Sequence, residues 1–214
     1  MKYEHSERAK EILDDLLEYT GKPRDLVVQR CKYAAYELAF LWGKRRDTLS
    51  YYRDTDLYIY DLTSYQSMIV PEVNYMVEAA EKHKMKKVLD LGGGIGEYTL
   101  RLMKEAGVEV TYLDLKGSET LKYAQWRFDK HKVRPKIVFE DEKWQNEKWD
   151  AIVAMDVLEH MENAQEVLAQ IEKSTKFLFA NPEKIKFNDL YPQHISEYQL
   201  ANFEEIGLNL YKIR

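Results

Sequence analysis

Apolar positions recur at helical spacing through the first third of the chain, then contract into short dense runs. Ala9, Ile12, Leu13, Leu16 and Leu17 share one face of a helix over residues 6–19, with Gly21 placed to end it. Pro23 suits the first turn of a second helix. Leu26, Val27, Cys31, Ala34, Leu38, Leu41 and Trp42 carry that helix to about Lys44, where Lys44, Arg45 and Arg46 complement its dipole. Residues 48–69 alternate aromatic and polar side chains and fit a strand, an irregular lid or a short helix. Pro71 opens another helix, through about His83. From Lys87 onward, aliphatic runs at 87–91, 108–114, 136–139, 149–155 and 177–180 alternate with amphipathic stretches at 97–105, 118–130, 163–173 and 196–205. Strands alternating with helices predict a doubly wound α/β fold with a mostly parallel sheet and right-handed crossovers. Residues 208–213 read as a final strand. Asn163 with Glu166, and Ser196 with Gln199, carry helix-cap signatures. Residues 1–70 are expected to form a helical cap attached to the α/β fold of residues 71–214, not an independent domain.

Composition narrows the choice of partners. The 214 residues are 45% hydrophobic and 32% charged, with a net charge of -5. A chain that neutralises many phosphates usually shows a basic face. Here the one cationic run, residues 82–87, reads as a solvated helix end. The single cysteine, Cys31, rules out an intrachain disulfide and reads as a small buried hydrophobe. No run of about 18 apolar residues is present, and the first residues are charged and amphipathic rather than signal-like. A cytoplasmic protein without a membrane partner is expected.

Candidate chemistry begins at Val88-Leu89-Asp90-Leu91-Gly92-Gly93-Gly94-Ile95-Gly96-Glu97. It reads as a buried strand entering a glycine turn with a helix behind it, a cradle for a nucleotide-like ligand. The spacing is not the dinucleotide G-x-G-x-x-G, because the sixth residue from Gly92 is Glu97. No Gly-Lys-Ser/Thr follows, which excludes a Walker loop. Asp90 and Glu97 at the rim repel a pyrophosphate and favour a ligand with a cationic amino-acid end and an adenosine end.

This stretch resembles motif I of class I S-adenosylmethionine (SAM)-dependent methyltransferases. Asp114, 22 residues beyond Gly92, ends a second β-rich run at the spacing of a ribose-binding carboxylate. Residues 136–139 lead to Glu140-Asp141. The stretch Trp149 to His160 resembles the family's fourth strand and its D-V-L-E-H continuation, and residues 194–208 resemble a late helix. The resemblance covers roughly residues 68–214. It implies a Rossmann-like methyltransferase domain that uses SAM and releases S-adenosylhomocysteine (SAH). It places Asp90 at the SAM amino group, Gly92, Gly94 and Gly96 beneath its methionine part, and Asp114 with Leu115 at the ribose. Asp141, or alternatively Glu140, goes to the adenine, and Asp156 to the cofactor rim. The chain departs from the family in two respects: the Gly-Gly turn before strand five is missing, and only one strand fits after the last helix. The last edge strand is therefore expected to be missing or shortened, with the edge open to a second copy or a partner chain.

Methyl transfer needs alignment and exclusion of water more than a strong base. His160 is the first catalytic candidate, as a base or a pocket wall, and His194 the second, as a pocket residue or a helix start. Asp156 and Glu159 read as rim acids. The His and acid spacings show no metal cluster, and no metal is expected. Ten of the 16 tyrosines lie in residues 1–75. Most are expected to glue the cap to the sheet, while Tyr58, Tyr65 and Gln66 are candidate substrate-binding residues. Arg53 reads as an ion-pair partner of Asp54 and Asp56. Asn181-Pro182-Glu183 follows strand five rather than strand four and is not the Asn-Pro-Pro-Tyr motif of amino-group methyltransferases. Residues 181–194 and the cap are expected to frame the pocket for a small-molecule acceptor. The alternatives are an RNA methyltransferase, or a SAM-binding subunit without catalysis.

Overall fold

The computed structural model describes residues 5–181 and 191–214; of the proposed pocket segment, residues 182–190 lie outside the described part. The first helices are α1 (His5–Thr20), α2 (Arg24–Trp42), α3 (Thr48–Arg53), α4 (Leu57–Met68) and α5 (Val70–Lys82). There follow β1 (Lys87–Leu91), α6 (Glu97–Glu105), β2 (Glu109–Asp114), α7 (Glu119–Lys130), β3 (Lys136–Phe139) and β4 (Trp149–Val153). A short 3-10 turn (Leu158–His160), α8 (Ala164–Ser174), β5 (Thr175–Phe179), β6 (Phe203–Gly207) and β7 (Leu210–Ile213) complete the described chain. The strands form one sheet in the order β3-β2-β1-β4-β5-β7-β6. The first five are parallel, and β7 runs antiparallel to both neighbours.

Alternation along the strands divides the core between two faces. Leu89, Ile152 and Leu178 pack with Leu168 and Ile171 of α8. Val88, Ala151, Val153 and Phe179 pack with α5 and α6 through Met76, Ala80 and Leu102. The ambiguous residues 48–69 form two helices, α3 capped by the Asp47 side chain and α4 with six buried residues. Ile59 and Tyr60 of α4 join Ile12, Leu16, Val27, Ala34, Ile95 and Tyr123 in one apolar cluster. Cys31 is half-buried beside it, its thiol pushed up to about 11 chiefly by burial.

A buried ionic network fastens α1 to the glycine turn. Arg127 is fully buried and donates to Asp15 (2.9 Å), Glu97 (2.6 Å) and the Ile95 carbonyl (2.9 Å). Arg101 reaches Glu97 (2.7 Å) and Glu11 (3.1 Å), and Arg8 pairs with Glu105 at 2.8 Å. Burial opposes ionisation of Glu97, but Arg101 and Arg127 overcome it and hold its carboxyl down to about 2.

Four expectations are corrected here. The helix over 196–205 does not form. Instead, Ser196 N–H and Ile195 N–H donate to Glu159 O, and Gln199 N–H donates to the Gln165 side chain. These bonds hold the segment out of a helix up to the turn, closed by Phe203 N–H to Leu200 O, that begins β6. The edge strand is present: β6 and β7 make a hairpin whose turn uses Asn209 at φ 53, a conformation asparagine tolerates. Its exposed Glu204 and Glu205 put charge on the sheet margin. Neither expected cap box forms, since Asn163 makes no side-chain cap; Ser118 instead caps α7 by accepting from Leu121 N–H at 3.1 Å. Finally, Arg53 pairs with Glu140 at 3.0 Å, while Asp54 and Asp56 take Arg46 and Arg30.

Candidate active site

Strand order reverses between β1 and β4, and a cavity of about 940 Å³ opens at their carboxyl ends. Its floor is Leu91 to Gly94 with Leu113 to Leu115. Tyr52, Tyr58, Asp61, Tyr65 and Gln66 descend from α3 and α4, and further wall comes from Met155 to Val157, His160 to Asn163, Gln193 and His194. That volume sits near the top of the range of about 300–1,000 Å³ typical of small-molecule pockets.

The floor is fixed by backbone bonds. The N–H groups of Gly92 and Gly93 both donate to Leu113 O, at 2.9 and 3.1 Å, tying the turn to β2. Gly92 adopts φ 68, and a Cβ there would lie 2.7 Å from Val157 Cγ2. Asp114 accepts from Gly94 N–H and Leu115 N–H, both at 2.6 Å, and Tyr112 Oη lies 3.1 Å away. Burial pushes its carboxyl up to about 6 against those donors. A carboxylate offers about four acceptor positions, so Asp114 keeps capacity for hydroxyls entering from the cavity.

Three sequence candidates lie outside the lining. Asp90 is 1% exposed and accepts from Thr99 Oγ1 at 2.6 Å. The pleat sends Leu91 to the cavity and Asp90 to the opposite face, where burial pushes its carboxyl up to about 7. Gly96, at φ 73, starts α6 with a Cβ position 2.6 Å from Phe128, so it serves helix packing. Asp141 is exposed, and Glu140 takes the rim position, accepting from Lys116 N–H at 2.8 Å. The cavity does bring together Gly92, Gly94, Asp114, Leu115, Asp156, Tyr58, Tyr65, Gln66, His160 and His194.

Asp156 holds φ 54, a left-handed conformation that stores strain. Asn181 supports it, accepting from Asp156 N–H at 3.0 Å and donating to its carboxylate. His160 ends the 3-10 turn, its Nδ1 3.1 Å from Gln193 O, which fixes that nitrogen as the protonated one. Burial, aided by neighbouring His194, pushes His160 down to about 4. Burial lowers His194 as well, so both rings are neutral at pH 7. His194 starts no helix; its ring stacks on Tyr191 and meets His160 edge-on at 4.8 Å. Glu159 is 2% exposed, and burial with Asp156 nearby raises its carboxyl to about 8. Contrary to the expected absence of a ligand cluster, one potential ligand atom each from Glu159, His160 and His194 lies within 4.8 Å of the others. Sequence reasoning missed Thr99, Asn181, Gln193 and Tyr52; each acts through a tertiary contact that no local spacing encodes.

A family described as methyltransferase domain matches residues 62–207. Among solved structures, an O-methyltransferase family protein from Burkholderia thailandensis aligns at 14% identity and TM-score 0.59, over 88% of this chain and 71% of that one. At that identity it shows the shared fold. A SAM-dependent methyltransferase from Clostridium acetobutylicum aligns at 18% identity and TM-score 0.44, over 50% of this chain and 48% of its own. TehB from Haemophilus influenzae aligns at 24% identity and TM-score 0.43, over 50% and 39% respectively. The chain thus spans less than half the length of these last two. No curated protein matches. No described helix is long and apolar enough to cross a membrane.

Proposed function

The chain belongs to the methyltransferase-domain family, of the class I SAM-dependent kind, and from that premise we propose that it methylates a small-molecule acceptor bound under α3 and α4. SAM, when bound, supplies a methyl group on a sulfonium sulfur already activated for in-line displacement. The residues fit such a cofactor. Asp114 would accept the ribose hydroxyls, with Leu115 and Glu140 beside the adenosine end. Gly92 and Gly94 leave room for close backbone approach, and Asp156 with Gln66 offers acceptors to the ammonium end. Gln66 Oε1 is buried without a hydrogen-bond partner among the described residues, as expected of an atom that meets a ligand. Tyr58 and Tyr65 present rings that can flank a cation. His160 and His194 line the acceptor side of the cavity as neutral imidazoles.

One observation supports the acceptor class: among the described residues, no lysine or arginine lines the cavity, while Asp61, Asp114, Glu140, Asp156 and Glu162 do. Such a lining repels a phosphate backbone and suits a neutral or cationic metabolite. The test is methyl transfer from labelled SAM into a fractionated metabolite extract and, in parallel, into total RNA. Label in a small-molecule fraction alone is expected. Label in RNA alone would overturn the reading, and label in neither would favour a non-catalytic SAM-binding subunit.

A further inference from the structure

Glu159, His160 and His194 form a cluster that methyl transfer as such does not require. We propose that these three side chains bind one divalent transition-metal ion of the zinc class, and that the ion's open positions take an oxygen-bearing acceptor such as a hydroxyl compound. The ion rests on this geometry alone; the acceptor class rests also on the methyl-transfer reading above.

Four features converge. Two imidazoles and one carboxylate are a donor set suited to zinc and its neighbours, and three protein ligands leave room for a substrate. Their donor atoms lie within 4.8 Å of one another. An ion at about 2.0–2.2 Å from each needs donors about 3–4 Å apart, a gap that small side-chain rotations close. His160 is oriented as a ligand: Nδ1–H donates to the Gln193 carbonyl at 3.1 Å, leaving the Nε2 lone pair free, the arrangement that holds metal-bound histidines. Finally, Glu159 Oε2, in a side chain 2% exposed, and His194 Nδ1 are buried without hydrogen-bond partners among the described residues. Buried polar atoms left unpaired are costly. A cation bound to the cluster removes that cost for Glu159.

The backbone supports the same grouping. Ile195 N–H and Ser196 N–H donate to Glu159 O at 2.8 and 3.1 Å, clamping the His194 segment onto the 3-10 turn. His160 and His194 line the cavity, so the open coordination positions face the acceptor space. A hydroxyl on the ion would lose its proton to water more easily. Its oxygen then forms the new O–C bond as the C–S bond breaks, and sulfur keeps the bonding pair.

The experiment uses the full chain stripped with a chelator, then titrated with Co²⁺ for visible absorption and with Zn²⁺ against a chromophoric chelator. One equivalent is expected, with Co²⁺ bands of a low-symmetry nitrogen and oxygen site. Glu159→Gln and His194→Ala should each weaken binding about tenfold or more, while His83→Ala, remote from the cluster, should not. SAH calorimetry and cooperative unfolding on the same samples report folding separately. If Glu159→Gln does not fold, His194→Ala on the adjoining segment carries the test. Substoichiometric binding, or affinity unchanged in folded variants, overturns the ion site even if SAH binds. Failure of SAH to bind wild type would instead overturn the methyl-transfer reading and leave the metal titration intact.

Discussion

Arg127 is the point at which the N-terminal helices and the glycine turn depend on the same atoms. Replacing it by Met keeps the apolar stem and deletes donors to Asp15, Glu97 and Ile95 O. Losing one partner of a buried ion pair costs about 3–5 kcal/mol, because the other charge stays buried. Compensation here is partial: Glu97 keeps Arg101 at 2.7 Å, and Asp15 keeps His131 at 2.8 Å and Lys130 at 3.0 Å. The low end, about 3 kcal/mol, is therefore expected. For a domain of this size, that lowers Tm by about 6–12 °C. Urea denaturation followed by tryptophan fluorescence reads it directly. Adding Asp15→Asn to Arg127→Met removes one stranded charge and should recover part of the loss. The deficit should be full above about pH 5 and shrink as the pH falls below it. Glu97 and Asp15 have folded pKa values below their usual ones, so the network's stabilisation is present above about pH 4.5 and is lost as pH falls through the folded values. A loss under about 1 kcal/mol, or no recovery in the double variant, would refute the claim that charge pairing holds α1 to the turn.

Three further outcomes follow from the site. Asp114→Ala should weaken SAH binding by about 100-fold in calorimetry, since hydrogen bonds to a charged acceptor are worth about 1.5–3 kcal/mol each; an unchanged Kd would remove Asp114 from the cofactor. Asn181→Ala should cost about 1–3 kcal/mol of stability and weaken SAH binding, because Asp156 would hold its left-handed backbone unaided; intact affinity would show that Asn181 does not position Asp156. Asp90→Asn should gain stability relative to wild type between about pH 4 and 7. A carboxyl raised by burial from 3.8 to about 7 stabilises the fold most below its unfolded pKa and loses that as pH rises through the folded one. Parallel stability curves for the two proteins across that window would contradict it.

Much of the cavity floor was legible because it is local in sequence. The glycine turn and Asp114 sit at the ends of adjacent strands, and the period-2 runs marked those strands. Motif spacing does not say which way a pleat faces: Leu91 takes the cavity side, and Asp90 meets Thr99. The final hairpin was hidden for another reason. Residues 196–205 carry helix-like spacing and a cap signature, but Ser196, Ile195 and Gln199 spend their hydrogen bonds on Glu159, Met161 and Gln165, and a contact across the fold overrode the local preference.

The other half of the cavity was illegible because three distant segments build it. Tyr58, Tyr65 and Gln66 come from α4, His160 from the turn after β4, and Gln193 and His194 from the segment before β6. No spacing rule relates position 66 to 160 or 160 to 194. Yet the bonds joining them are specific: the Gln193 carbonyl sets the tautomer of His160, and the Glu159 carbonyl anchors Ile195 and Ser196. A change in the 191–196 backbone therefore moves both histidines relative to the glycine turn without touching Asp114. On the proposed reading, acceptor choice would vary along that segment while the glycine turn stays constant. A Gln193→Pro variant isolates this link. It should leave SAH affinity within about threefold while disturbing the His160–His194 pair, because the proposed cofactor contacts at Gly92, Gly94 and Asp114 lie on other segments. Loss of SAH binding in a folded Gln193→Pro protein would show that the two halves are one unit.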